Sequence, residues 1–84
     1  MLMKARTKFV EKVGEVMINQ LLDDLIDEGV LNEGEKNHIL SFTPKEETAR
    51  KLIDAVKTKG DGACEILIDH LGTRDFFLCS VLGL

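Results

Sequence analysis

Cys64 is the residue of this 84-residue chain whose type and neighbours first suggest enzymatic chemistry. It stands in the run GACE, which partly matches the signature QAC-[RQG]-G around the nucleophile of one class of cysteine protease. The match fails because no Gln precedes Ala63, because Ile66 stands where the signature requires Gly, and because His38 lies 26 positions upstream instead of about 50. An apolar helix would also disfavour a thiolate. We therefore predict a reduced core cysteine and no catalytic residue.

The histidines and the paired carboxylates do not match a metal or cofactor site. His38 and His70 have no Cys or second His at the spacing that a zinc site requires. Asp23 and Asp27 share one side of a predicted helix, but no base or aromatic platform accompanies them. The glycines fall at predicted helix ends and not in a phosphate-binding loop. We predict neither a metal nor a cofactor.

The charged residues are the feature of this chain that points to a function, because residues of one sign are grouped along the sequence. Residues 15–35 contain seven acidic side chains and no Lys or Arg, whereas residues 1–14 and 36–59 each carry a net charge of +3. A surface that is only soluble tends to intersperse the two signs, so grouped charge indicates protein-interaction surfaces. Nucleic acid is not an expected partner, because the net charge is −4 and the chain has no Trp or Tyr to stack on bases.

The acidic segment is predicted to be an amphipathic helix over about residues 16–28. Its apolar residues recur at helical spacing and gather on one side: Ile18, Leu21, Leu22, Leu25 and Ile26. Its acidic residues fall on the other side: Asp23, Asp24, Asp27 and Glu28. The apolar side must bury itself against other helices, whereas we expect the acidic side to need no counter-charge from its own chain.

Five further helices are predicted from apolar spacing and capping residues. They lie at about residues 2–14, 33–41, 44–59, 62–71 and 74–82. Asn32 and Glu35 form a capping pattern for the third helix in chain order, Thr43 is expected to cap the fourth, and Thr73 the sixth. The pattern therefore predicts six short antiparallel helices joined by brief loops.

Two expectations about burial follow from the apolar pattern of the last two helices. The fifth helix is apolar on nearly every side, which is typical of the central helix of a bundle. Phe76 and Phe77 are expected to pack the sixth helix against the core. No stretch approaches the roughly 20 apolar residues of a membrane span and no signal peptide is recognisable, so we expect a cytoplasmic protein.

The order of these features resembles the caspase recruitment domain (CARD) of the death-fold superfamily, and specifically the CARDs of inflammatory caspases and their decoy relatives. The resemblance covers essentially the whole chain and is carried by Gly14-Glu15, Ile18-Asn19, Leu21-Leu22-Asp23, Val30-Leu31-Asn32, Leu52-Ile53-Asp54, Lys59-Gly60, Ala63-Cys64 and Leu82-Gly83-Leu84. It implies an all-α fold: a six-helix antiparallel bundle of the death-fold type that forms one non-enzymatic domain over residues 1–84.

The resemblance also implies how such a domain binds, since in this family a basic patch on helices 1 and 4 docks on an acidic patch on helices 2 and 3 of the next domain. It assigns Arg6, Arg50 and Lys59 to the basic side and Asp23 to the acidic side. With neighbours of the same sign, the predicted basic face comprises Arg6, Lys8, Arg50, Lys51, Lys57 and Lys59. The predicted acidic face comprises Asp23, Asp24, Asp27 and Glu28.

The function that the resemblance implies is a homotypic interaction module in inflammasome or apoptotic signalling. Its partners would be other CARD proteins, whether caspase, adaptor or sensor, and it would assemble into oligomers or filaments. A caspase prodomain, an adaptor domain and a free-standing decoy inhibitor remain alternatives. A further alternative is binding of bacterial lipopolysaccharide by the basic face, which ranks lower because that face has no large exposed apolar companion to hold acyl chains.

Overall fold

The protein folds into six α-helices. The structure, a computed structural model, describes the backbone of residues 2–84 and the side chains of residues 5–84, so Met1, where the predicted domain begins, lies outside the described residues. The helices are α1 (Leu2–Lys12), α2 (Glu15–Asp27), α3 (Glu33–Leu40), α4 (Lys45–Lys59), α5 (Asp61–Arg74) and α6 (Phe76–Val81). No strand occurs over residues 2–84. The predicted all-α, six-helix fold is confirmed.

Local signals set the start and end of α2 and the start of α3 as predicted. Gly14 is extended and precedes α2, and Gly29, with φ of +76°, follows the helix end in the left-handed conformation that glycine adopts without strain. The Asn32 side chain accepts a hydrogen bond from the Glu35 backbone N–H at 2.8 Å, and the Glu35 carboxylate accepts one from the Asn32 N–H at 3.1 Å. This is the reciprocal capping box that the sequence indicated.

Two predicted caps are wrong. Pro44 occupies the position before α4, so Thr43 does not cap that helix. Helix α5 continues through Gly72 to Arg74, because glycine weakens a helix interior without necessarily ending it. Thr73 therefore lies inside α5, and the Asp75 side chain caps α6 by accepting a hydrogen bond from the Leu78 N–H at 2.9 Å.

The core is built mainly from α2 and α4. Each contributes several fully buried side chains, namely Ile18, Leu21, Leu22, Leu25, Ala49, Leu52, Ile53 and Val56. Helix α5, predicted to be buried on nearly every side, buries only Ala63, Leu67 and Leu71. Its residues Cys64, Ile66 and Ile68 are half-buried and pack at the edge of the core. The expectation that α5 is buried on nearly every side is wrong, because one side of that helix faces solvent.

The aromatic residues of α6 are not part of the core. Phe76 is 78% exposed and Phe77 is 77% exposed, whereas Leu78 and Cys79 are buried. Helix α6 packs chiefly on α5, so only one of its sides is covered, and that side carries Leu78 and Cys79, followed by Leu82 after the helix. The prediction that Phe76 and Phe77 pack inward is wrong.

None of the helices in residues 2–84 is long and apolar enough to cross a membrane.

Candidate protein-interaction faces

Helices α1 and α4 bring part of the predicted basic face together. The Arg6 guanidinium, on α1, donates two hydrogen bonds of 3.3 Å to the Asp54 carboxylate, on α4. Arg50 and Lys57 lie four positions before and three positions after Asp54, so they share its side of α4. We call Arg6, Arg50 and Lys57 the α1–α4 basic row. The charge of this row is reduced by Asp54 and by Glu47, whose Oε2 lies 3.4 Å from the Arg50 Nη1; neither carboxylate was predicted to belong to the face.

The other three predicted cations lie elsewhere. Lys8 is exposed, but it is two residues from Arg6 and so about 200° away around α1. Lys51 and Lys59 lie on the side of α4 that faces α3 and the segment after it. The Lys51 Nζ is 4.8 Å from the centre of the Phe42 ring, and the Lys59 Nζ is 2.9 Å from the Glu35 Oε2. The six cations therefore do not form one continuous face.

Two of the four predicted carboxylates lie on the outer side of α2. Asp23 and Asp27, four residues apart, are both exposed, and we call them the outer acidic pair. The Asp23 Oδ1 accepts a hydrogen bond of 2.7 Å from the Lys36 Nζ, and this bond raises the pKa of Lys36. The Asp23 side chain nevertheless remains 61% exposed. Asp27 has no ion-pair partner among residues 5–84.

Asp24 does not belong to the exposed acidic face. It is only 8% exposed, and Arg74 donates to it twice, from Nε at 2.6 Å and from Nη2 at 2.7 Å. The hydrogen bond from Arg74 holds the pKa of Asp24 below its usual value, although burial acts in the opposite direction. The expectation that the acidic side of α2 needs no counter-charge is therefore wrong. Asp24 lies about 100° around the helix from Asp23, and this turns it toward α5.

Glu28 follows Asp24 by one turn and faces the same helix. The His70 ring of α5 lies between the two carboxylates: its Nδ1 is 3.3 Å from the Asp24 Oδ2, and its Nε2 is 3.4 Å from the Glu28 Oε2. We call Asp24, Glu28, His70 and Arg74 the α2–α5 clamp. The four predicted acidic residues thus divide into an outer pair and a pair held within the clamp.

Sequence reasoning missed the residues that neutralise charge inside the molecule. Arg74 is the only Lys or Arg between residues 60 and 84, so a lone cation in an acidic segment was the available signal for an internal ion pair. Lys36, Asp54 and His70 gave no comparable signal, because each depends on which helices pack side by side.

The structure gives no support to catalysis by Cys64. The thiol is free and half-buried, and burial raises its pKa, with the charge of Asp61 adding to the effect. The thiol therefore stays protonated at neutral pH and is a poor nucleophile. In the part of the chain that the structure describes, no three His, Cys, Asp or Glu side chains are grouped so as to hold a metal ion.

Six short helices packed around one core place this chain in the all-α class. The caspase recruitment domain profile matches residues 1–84, and the chain belongs to this family. The caspase recruitment domain is a non-catalytic interaction domain, so the prediction of a non-enzymatic module is confirmed.

Several curated proteins are similar to this chain. Caspase-1 of Felis catus is 39% identical over 80 residues, which is 94% of this chain and 20% of that protein. Caspase recruitment domain-containing protein 16 of Homo sapiens is 39% identical over 85 residues, 99% of this chain and 43% of that protein. NLR family CARD domain-containing protein 4 of Mus musculus is 33% identical over 73 residues, 87% of this chain and 7% of that protein.

The chain thus spans less than half the length of each of these relatives. No solved structure matches it significantly. The chain is a homotypic interaction module related to those of inflammatory caspases.

Proposed function

We propose that this domain assembles with other caspase recruitment domains by docking its α1–α4 basic row on the outer acidic pair of the next domain. The observation that carries the proposal is that charges of opposite sign stay exposed on different helices after the internal ion pairs have formed. Asp23 and Asp27 lie on α2, and Lys57 lies exposed on α4. Complementary charge of this kind directs encounter and fixes register.

Such a contact joins two different surfaces, so it is heterologous. A heterologous contact that does not close into a ring builds open chains, which is the basis for proposing oligomers or filaments. The similar proteins include caspase-1, caspase recruitment domain-containing protein 16 and an NLR family protein. We therefore infer that the partners are the caspase recruitment domains of proteins like these. The domain would serve either as the recruitment segment of a caspase or as its regulator.

The test is a pair of charge reversals, one on each row. Asp27→Lys should remove the acidic half of the contact and leave the basic row competent, and Arg50→Glu should do the reverse. Each variant alone should stay monomeric in size-exclusion chromatography with light scattering, and each should cap growing wild-type chains when it is added in small amounts. Both positions are at or near the surface, so stability should change little.

Asp69→Lys is the matched control, because it makes the same charge change at an exposed position of α5 outside both rows. It should assemble like wild type. Assembly of the wild type should also weaken as salt rises, since exposed charges are screened within about 8 Å at physiological ionic strength. If Asp27→Lys and Arg50→Glu both polymerise like wild type, or if assembly strengthens at about 1 M salt, the two rows are only a solvated surface.

A further inference from the structure

The His70 ring lies between two carboxylates, and each of its nitrogens is near an oxygen of one of them. Its two ring nitrogens lie 3.3 Å from an Asp24 oxygen and 3.4 Å from a Glu28 oxygen. A neutral imidazole has one N–H and one lone pair, so it can donate to one of these carboxylates while its lone pair meets the other. A protonated ring carries an N–H on both nitrogens, so it can donate toward both carboxylates.

The other charged groups of the clamp come from α2, from the residue directly after it and from α5. Asp24 of α2 and Glu28, which directly follows that helix, supply the two carboxylates, and α5 itself supplies Arg74, which shares Asp24 with His70. Of the other helices packed on α5, α4 forms no ion pair with the ring among the described residues, and the only titratable side chain of α6 is the buried Cys79. With His70 neutral the α2–α5 clamp carries a net charge of −1, and with His70 protonated it is neutral.

We propose that protonation of His70 links α2 to α5. In mildly acidic conditions the ring binds both Asp24 and Glu28, and its positive charge offsets negative charge at the acidic surface of α2. The effect on the acidic surface rests on the proposed function, in which the outer acidic pair binds a basic partner. Glu28 directly follows Asp27 of that pair, so the charge of His70 lies close to it. Acidification from about pH 7.5 to pH 5.5, the range in which an ordinary histidine takes up its proton, should therefore stabilise the fold and weaken docking of a basic partner.

The first arm of the test measures stability in dilute solution, where no assembly occurs. Urea unfolding is followed at pH 7.5 and pH 5.5 for wild type, for His70→Gln and for His38→Gln. The chain has two histidines, so His38→Gln is the matched control. Relative to His70→Gln, the folded-to-unfolded ratio of wild type should rise about threefold to fivefold on acidification, a modest effect because the ring and Glu28 are partly exposed.

His38→Gln should keep the whole of this pH-dependent gain, and Glu28→Gln should lose part of it, because the contact with Asp24 remains. His70→Gln keeps a polar side chain at a half-exposed position, so it should fold. If wild type and His70→Gln show the same pH dependence, the link does not exist.

The second arm measures assembly by light scattering at the same two pH values. The concentration at which wild type assembles should be about twofold to threefold higher at pH 5.5 than at pH 7.5, and His70→Gln should remove that difference while His38→Gln keeps it. His70→Lys, which carries its charge at both pH values, should assemble weakly at both. A pH-dependent stability gain without any assembly would refute the proposed function and the regulation but keep the link. Assembly that is equally strong at both pH values would refute the regulation alone.

Discussion

Asp24 and Asp23 are adjacent residues, but substituting them should have very different consequences for the stability of the fold. Asp24→Asn replaces the carboxylate with an amide of nearly the same shape and removes the negative charge that Arg74 binds. One oxygen can still accept from the guanidinium, but the amide nitrogen then faces N–H donors, so at least one of the hydrogen bonds of 2.6 Å and 2.7 Å is lost. Loss of a hydrogen bond to a charged group at a site only 8% exposed costs about 2 kcal/mol.

That cost corresponds to a fall in Tm of roughly 8 to 16 °C for a domain of this size. Asp23→Asn is the control, because it makes the same chemical change one residue away at a side chain that is 61% exposed. Its Tm should change by less than about 3 °C, since exposed ion pairs contribute little. Thermal unfolding followed by circular dichroism on wild type and both variants, at concentrations below assembly, measures the difference.

The acid dependence of stability gives a second test of the ion pair between Asp24 and Arg74. The pKa of Asp24 is lower in the folded protein than in the unfolded chain, because Arg74 stabilises the carboxylate. A group of this kind stabilises the fold above its unfolded pKa of about 3.9, and the contribution is lost as the pH falls through the folded value. Between about pH 5 and pH 2, Asp24→Asn should therefore lose less stability than wild type or Asp23→Asn. Equal Tm values for the two variants, together with equal acid slopes, would show that Arg74 and Asp24 do not form the internal ion pair.

Two further predictions test burial. Phe77→Ser should leave Tm nearly unchanged, because that ring is 77% exposed, whereas Leu78→Ala, one residue later at a buried position, should lower the free energy of unfolding by about 2–3 kcal/mol. A larger loss for Phe77→Ser than for Leu78→Ala would mean that α6 is rotated. Cys64, half-buried with a raised pKa, should react with a thiol reagent more slowly at pH 7.5 than the same cysteine in urea, and the native rate should rise as the pH approaches and passes 9. Equal rates in the native and unfolded protein would rule out the protected thiol.

Secondary structure and family could be predicted because their signals are local. The capping box of Asn32 and Glu35 involves residues three positions apart, and Gly29 ends α2 through its own backbone conformation. The apolar spacing of α2 and α4 is likewise contained within each helix, and most of those apolar residues are buried, whereas Ile26 of α2 is half-buried. Signals of this range are complete within a few turns, so they do not depend on how the helices pack.

The candidate faces could be predicted only as sets of charged residues. Helical spacing placed Asp23 and Asp27 on the outer side of α2 correctly, but it also assigned Asp24 and Glu28 to that surface. Whether a residue at the edge of an apolar stripe faces solvent or a neighbouring helix depends on which helix lies beside it. The position of α5 decided this for both residues.

The sequence by itself thus determined the six-helix fold, the family and the grouping of charge by sign. Only the tertiary structure decided which charges remain available to a partner, because two of the neutralising pairs join residues far apart in the chain: Arg6 with Asp54 at a separation of 48 positions and Arg74 with Asp24 at 50. It also decided that Phe76 and Phe77 stay exposed, since α6 packs chiefly on α5 and its other side faces solvent. Contacts of this range leave no periodic trace in the sequence, and they exist only once the helices have packed.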